Sequence, residues 1–141
     1  MIFGIGTDIV DVDRLRAVWS RHGDKFLKRV FTPDEINYCL VKADPVPCLA
    51  ARFAAKEAAV KALGTGISQG VGFRDVQVKS NGSRPRVELD GRARWLAEEQ
   101  GISDIHLSLS HEKNFALALV IMETNKEKFI SSADVEDDER E

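Results

Sequence analysis

The segment FAAKEAAVKALG, residues 53–64, decides how the rest of the chain is read. Its alanine content favours helix, and Arg52, Lys56, Glu57 and Lys61 are the only charged residues between Leu49 and Gly64. On a surface helix such charges gather opposite the large apolar residues. At about 100° per residue, Leu49, Phe53, Val60 and Leu63 instead share one side with Lys56. Arg52 and Glu57 edge that side, and Lys61 follows just beyond. The opposite side is almost all alanine: Ala51, Ala54, Ala55, Ala58 and Ala62. The charges therefore flank a site instead of covering a solvent face, and the alanine side lets another backbone pack close. The predicted helix runs from about Cys48 to Leu63, with Gly64 as its C-cap.

Working outward, residues 2–10 alternate Phe3, Ile5 and Ile9 with Gly4, Gly6 and Asp8, which predicts a strand. Asp8 then shares a face with two glycines, leaving space beside it for something bulky. Leu15, Val18, Trp19, Phe26 and Val30 suggest helix on both sides of a break near His22 and Gly23. TPDE at 32–35 is a helix start, with Thr32 as N-cap, Pro33 in the first turn and Glu35 closing a capping box. GTGISQGVG, 64–72, reads as a mobile or ligand-hugging loop. FRDVQVK (73–79) and RPRVELD (84–90) flank Asn81-Gly82, a hairpin turn. GRARWLAEEQG is a short helix ending at Gly101, and IHLSLS and NFALALVIM are two closing strands with HEKN between them. Strands that pair with their neighbours beside segregated helices predict an α+β domain.

The chain has 141 residues, 43% hydrophobic and 30% charged, enough for one globular core. Residues 124–141 carry three bases against seven acids, a net of −4, so residues 1–123 carry 17 bases, 16 acids and a net of +1. A near-neutral body argues against a general nucleic-acid binder. The division expected is a domain over 1–123 and an acidic, disordered tail over 124–141. No apolar run reaches the roughly 20 residues that cross a bilayer, and MIFGIGTDIV lacks a basic leader. Cys39 and Cys48 belong to no CxxC pair, which reads as a reduced cytoplasmic protein with buried or idle thiols.

Several residues carry candidate chemistry. Asp8 on a protected strand face caps a turn, pairs with Arg14 or serves a ligand. Glu57 either pairs with Lys61 four residues on or joins Asp8 in holding a hard cation. Magnesium takes few protein carboxylates and completes its shell with water and substrate phosphates, and Arg52, Lys56 and Lys61 would face those phosphates. The glycine loop headed by Gly64 would add backbone amides. His111, between two strands, is a solvated turn residue, a phosphate donor or a proton shuttle. Arg84 and Arg86 read as hairpin surface cations. The residues themselves lead as far as an α+β domain handling a magnesium-bound phosphorylated ligand.

GIGTDIVDVDR at 4–14, RFAAKEAAVKALGTGI at 52–67 and LSLSHEKNFALA at 107–118 together resemble the holo-[acyl-carrier-protein] synthase family, the short bacterial type of 4'-phosphopantetheinyl transferase. The likeness covers roughly residues 1–122. It implies a cytoplasmic enzyme of fatty acid biosynthesis, with the antiparallel sheet and packed helices of the 4'-phosphopantetheinyl transferase-like fold. The implied reaction moves phosphopantetheine from coenzyme A to a serine of apo acyl carrier protein and releases 3',5'-ADP. By the resemblance, Asp8 and Glu57 hold magnesium, Lys61 contacts the phosphate, and Arg52, Gly64 and His111 bind coenzyme A. The base that takes the serine proton stays open among Glu57, a metal-bound water and a group near His111. Val10 stands where larger monomeric relatives carry a further acid, which fits a homotrimer with active sites between subunits, Asp8 and Glu57 from one chain and His111 from its neighbour. Arg14 sits where the family docks its acidic carrier, and Arg21 adds to it. The rival readings are a non-catalytic coenzyme A-binding or scaffold module of the same fold, and a magnesium phosphohydrolase.

Overall fold

In the computed structural model, residues 1–80, 82 and 84–125 are described. The chain forms β1 (Ile2–Asp11), α1 (Val12–His22), α2 (Asp24–Val30), α3 (Pro33–Leu40) and α4 (Val46–Leu63). A 3₁₀ turn (Phe73–Asp75), β2 (Val76–Lys79), β3 (Arg86–Leu89), α5 (Gly91–Glu99), β4 (Ile102–His111) and β5 (Phe115–Thr124) follow. The three long strands make an antiparallel sheet in the order β1-β5-β4, and β2 and β3 form a separate hairpin. The α+β reading is borne out.

One face of the long sheet is covered by α4. Along β5, Ala116, Ala118, Val120 and Met122 point inward and are fully buried, in step with the two-residue strand period. In β1 the inward positions include Gly4 and Gly6, and no side chain would fit there. A Cβ on Gly4 would lie 2.0 Å from the carbonyl oxygen of Ala62, and one on Gly6 would lie 1.8 Å from that of Ala58. The glycines of β1 and the alanines of α4 are thus two halves of one backbone-to-backbone contact. The space beside these glycines is filled by the helix itself.

The other side of α4 is also buried, and Lys56 is the reason its apolar stripe holds a charge. Lys56 has 0% exposure. Its ammonium donates to Glu35 Oε1 at 2.7 Å and to the carbonyls of Phe73 and Val76. Glu35 closes the expected capping box by accepting from Thr32 N at 2.9 Å, while its other oxygen accepts from Val78 N at 3.0 Å. This pair joins α3, α4, the 3₁₀ turn and β2, with the charges matched and hydrogen-bonded as burial demands. Lys56 therefore does not face a phosphate, contrary to the sequence reading. Burial pushes its ammonium below the usual lysine range, opposed by the charge of Glu35.

Other boundaries shift for local reasons. Gly23, at φ 62°, separates α1 from α2 as expected. Helix α4 starts two residues early, because Pro47 suits a first helical turn. Phe73–Asp75 wind into the 3₁₀ turn, with Gly72 N donating to Asp75 Oδ2, so β2 is shorter than the FRDVQVK pattern suggests. Asn81 lies outside the described residues, although the strands it joins pair antiparallel. His111 ends β4 and does not sit in the following turn, and Thr124, grouped with the tail by composition, ends β5. The tail reading otherwise falls on residues 126–141, outside the description. Cys39 and Cys48 are joined in a disulfide across the α3–α4 loop, which corrects the reading of idle thiols.

Candidate active site

Two cavities border α4. The first, of about 620 Å³, takes in Asp8, Glu57 and Arg14 together with apolar residues of β1, α1 and α4, including Ile9, Leu15, Val18 and Phe53. Asp8 reaches it because Gly4 and Gly6 set β1 directly on α4, so the next inward position of β1 meets the turn that bears Glu57 and Lys61. Lys61 Nζ donates to Asp8 Oδ1 at 3.1 Å and to the carbonyl of Thr7 at 3.0 Å. The ion pair of Lys61 is thus with the strand residue and not with Glu57 on its own helix, and Asp8 does not pair with Arg14. Burial raises the Glu57 carboxyl above its usual range, the charge of Asp8 raises it further, and Lys61 opposes both.

That electrostatic conflict is itself a test of the cation expected here. Two neighbouring carboxylates, one half-buried and raised by the other, gain from a divalent ion and offer only hard oxygen donors. Among the described residues no cluster of three or more His, Cys, Asp or Glu is placed for a metal. Two carboxylates with the remaining positions left to water and phosphate is the pattern of magnesium. The residues present fit that ion.

The second cavity, of about 400 Å³, is lined by Tyr38, Lys42, Asp44, Cys48, Arg52, Ser80 and His111, among others. Arg52 and His111 therefore come together, but in a different cavity from Asp8 and Glu57. Arg52 is buried, its guanidinium 4.2 Å from the Tyr38 ring centroid and donating to Ser80 Oγ at 3.2 Å and Cys48 Sγ at 3.3 Å. Its Nε is the one buried side-chain nitrogen or oxygen without a hydrogen-bond partner among the described residues. Burial lowers the Arg52 guanidinium, with Tyr38 and Glu35 opposing. Lys42 Nζ also lies over Tyr38, at 5.0 Å. Sequence reasoning missed Tyr38, Lys42 and Ser80; the four-residue spacing of Tyr38 and Lys42 was the available signal.

Other expected contributions move. The amides of Gly64, Thr65 and Gly66 donate back to the carbonyl of Val60, so they cap α4 and are not free for a phosphate. Gly64 itself, at φ 92°, is the left-handed C-cap that was expected. Arg84 and Arg86 are exposed, in line with the surface reading. Arg14 and Arg21 both sit on α1, seven residues apart and so on the same side. Arg14 reaches the first cavity, while Arg21 stands in the last turn of α1. No described helix is long and apolar enough to cross a membrane.

Within an α+β domain, a carboxylate pair answered by a lysine thus lies at one cavity and a buried arginine lines a second. The chain belongs to the 4'-phosphopantetheinyl transferase superfamily, whose family model matches residues 4–120. It is 48% identical over 124 residues to the holo-[acyl-carrier-protein] synthase of Halothermothrix orenii, covering 87% of this chain and 98% of that protein. The crystal structure of holo-[acyl-carrier-protein] synthase from Neisseria meningitidis is 42% identical with a TM-score of 0.79, over 88% of this chain and 100% of that one. The Helicobacter pylori synthase, solved in complex with coenzyme A, is 34% identical with a TM-score of 0.74, over 84% and 99% of the two chains. The family resemblance read from three sequence motifs is borne out.

Proposed function

We propose that this chain transfers the 4'-phosphopantetheine group of coenzyme A to a serine hydroxyl of an apo acyl carrier protein and releases 3',5'-ADP. The observation that carries the reading is that Asp8 and Glu57 line one cavity while Lys61 pairs with Asp8, two rigid elements supplying all three. Glu57 and Asp8 would hold magnesium, which when bound supplies a Lewis acid and a template on the pyrophosphate. Lys61, already hydrogen-bonded to Asp8, places its ammonium where oxygen charge grows as the β-phosphate is attacked and the P–O bond to 3',5'-ADP breaks. Transfer of this kind depends on in-line positioning and charge cancellation more than on covalent catalysis.

The second cavity suits the nucleotide half of coenzyme A. Arg52, Lys42 and His111 offer donors to its phosphates, and the unpartnered Nε of Arg52 supports an anion there, since buried donors in native proteins are as a rule satisfied. In the trimer expected, Asp8 and Glu57 would come from one chain and His111 from its neighbour. Arg14, at the rim of the first cavity beside Leu15 and Val18, suits an acidic carrier protein with an apolar contact of its own, and Arg21 extends the basic side of α1.

A homotrimer is supported by the sheet face turned away from α4. Ile5, Ile9, Phe115 and Leu117 are exposed there, Ile9 by 61%, and the register sets Ile9 beside Leu117 and Ile5 beside Ile121. A contiguous apolar sheet face of this kind marks an interface. Ile9 and Phe115 also line the first cavity, so a neighbouring copy on that face would border the cleft.

The test is intact-mass spectrometry of an apo acyl carrier protein incubated with the chain, coenzyme A and magnesium, with an EDTA control. A magnesium-dependent gain of one phosphopantetheine with release of 3',5'-ADP is expected. Release of 3',5'-ADP without a carrier protein would point to a hydrolase, and coenzyme A binding without transfer would point to a non-catalytic module.

A further inference from the structure

The disulfide between Cys39 and Cys48 is not used by the reaction, yet it lies in the wall of the second cavity. It ties the last turn of α3 to the first turn of α4, at a Cα–Cα distance of 5.6 Å and a sequence separation of nine. Each end of the tie sits beside a cation-bearing group. Cys39 follows Tyr38, over whose ring both Lys42 and Arg52 lie. Cys48 Sγ accepts directly from Arg52 Nη1 at 3.3 Å. The two sulfurs are also unequal in access: Cys39 is fully buried, whereas Cys48 is half-buried and lines the cavity.

We propose that Cys39 and Cys48 are a reversible dithiol–disulfide couple that sets the affinity of this cavity for a nucleotide phosphate, a proposal that rests on the assignment of the cavity to the nucleotide half of coenzyme A. In the disulfide, the sulfur beside Arg52 is uncharged and the guanidinium keeps its full charge for the ligand. In the dithiol, an adjacent guanidinium favours the Cys48 thiolate, and that thiolate cancels the arginine's charge inside the cavity. Loss of the tie also loosens the α3–α4 loop, which is otherwise held by the Arg16–Asp44 ion pair at 2.7 Å on the surface and by local hydrogen bonds such as Val46 N to Asp44 Oδ1. Both effects weaken anion binding in the reduced state.

Access orders the chemistry, with glutathione disulfide as the oxidant. The Cys48 thiolate attacks one sulfur of glutathione disulfide, forming a mixed disulfide and expelling one glutathione thiolate. Cys39, giving up its proton to solvent, attacks Cys48 Sγ; the internal S–S bond forms and the second glutathione thiolate leaves. The protein loses two electrons and two protons, and one glutathione disulfide becomes two glutathiones. Reduction runs the same path backwards, entering at the accessible Cys48.

The test titrates 3',5'-ADP calorimetrically into the full chain in two states, oxidised with glutathione disulfide and reduced with a phosphine. Intact mass after alkylation reads the state of both thiols. Binding about five- to tenfold weaker in the reduced protein is expected, a coupling of ordinary size. Cys48→Ala should show a single affinity whatever the redox buffer, and because the wild-type comparison needs no substitution, misfolding of the variant cannot decide the outcome. Equal affinities for verified oxidised and reduced protein overturn the switch while leaving the nucleotide cavity intact. Failure of the disulfide to form in glutathione disulfide also overturns it. Absence of 3',5'-ADP binding in both states overturns the cavity assignment and the switch together.

Discussion

Gly6 of β1 lies so close to Ala58 of α4 that a methyl group on the glycine would sit 1.8 Å from the alanine's carbonyl oxygen. The obstacle is backbone and cannot rotate away. Gly6→Ala should therefore push strand and helix apart, destabilising the fold by roughly 3 kcal/mol as overpacking does and moving Asp8 away from Lys61. Thermal unfolding and the transfer assay together check this. An unchanged melting temperature would mean that the contact is looser than described.

Asp8→Asn and Glu57→Gln keep shape and remove charge. Each should lower transfer by about two to three powers of ten, the usual loss when a transition-state electrostatic contact is removed, and should raise the magnesium concentration needed for half-maximal rate. A magnesium titration of initial rates is the measurement. An unaltered magnesium requirement in both variants would sink the metal assignment.

Lys56 and Glu35 make the sharpest contrast with the site charges, since both are buried and neither faces a cavity. Lys56→Met leaves Glu35 a buried carboxylate without its cation and should cost about 3–5 kcal/mol, as breaking a buried pair does. Replacing the pair together, as Lys56→Met with Glu35→Gln, should cost less than the sum of the two single changes. Chemical denaturation of the four proteins forms the cycle. Additive losses would mean that the two groups are not coupled.

Arg14→Glu should raise the KM for an acidic carrier protein well above any change in the KM for coenzyme A, with a salt dependence weaker than the wild type's. Steady-state kinetics with each substrate varied in turn decides it. Equal effects on both substrates would argue for a role at the pyrophosphate and not at the carrier.

Leu117→Asp sets a charge in the middle of the exposed sheet face, at a position 46% exposed in the single chain. A trimer held by that face should dissociate, which sedimentation velocity reads directly, while the monomer's own core is untouched. A trimer that survives the change would have to use another surface.

Much of the site was legible in the sequence because its residues fall within two short motifs on regular elements. A strand period of two put Asp8 on the same face as Gly4 and Gly6, and a helix period of 3.6 put Glu57 and Lys61 one turn apart. The alanine face of residues 51–62 announced that backbone would pack closely, and the capping box at Thr32–Glu35 was readable as written. What periodicity could not supply was the partner of each charge. Lys56, Lys61 and Arg52 look equivalent along the chain, yet Lys56 is consumed by Glu35 twenty-one residues away, Lys61 by Asp8 fifty-three residues away, and Arg52 by Tyr38, Ser80 and the half-buried Cys48. The sequence by itself determined the elements, the close-packed glycine–alanine seam and the family motifs, because these depend on local geometry and spacing. Only the tertiary structure decided that Lys56 is fully buried while Lys61 stays half exposed, and that Cys39 meets Cys48. Burial and charge pairing are set by residues distant in the chain, and no local pattern carries that information.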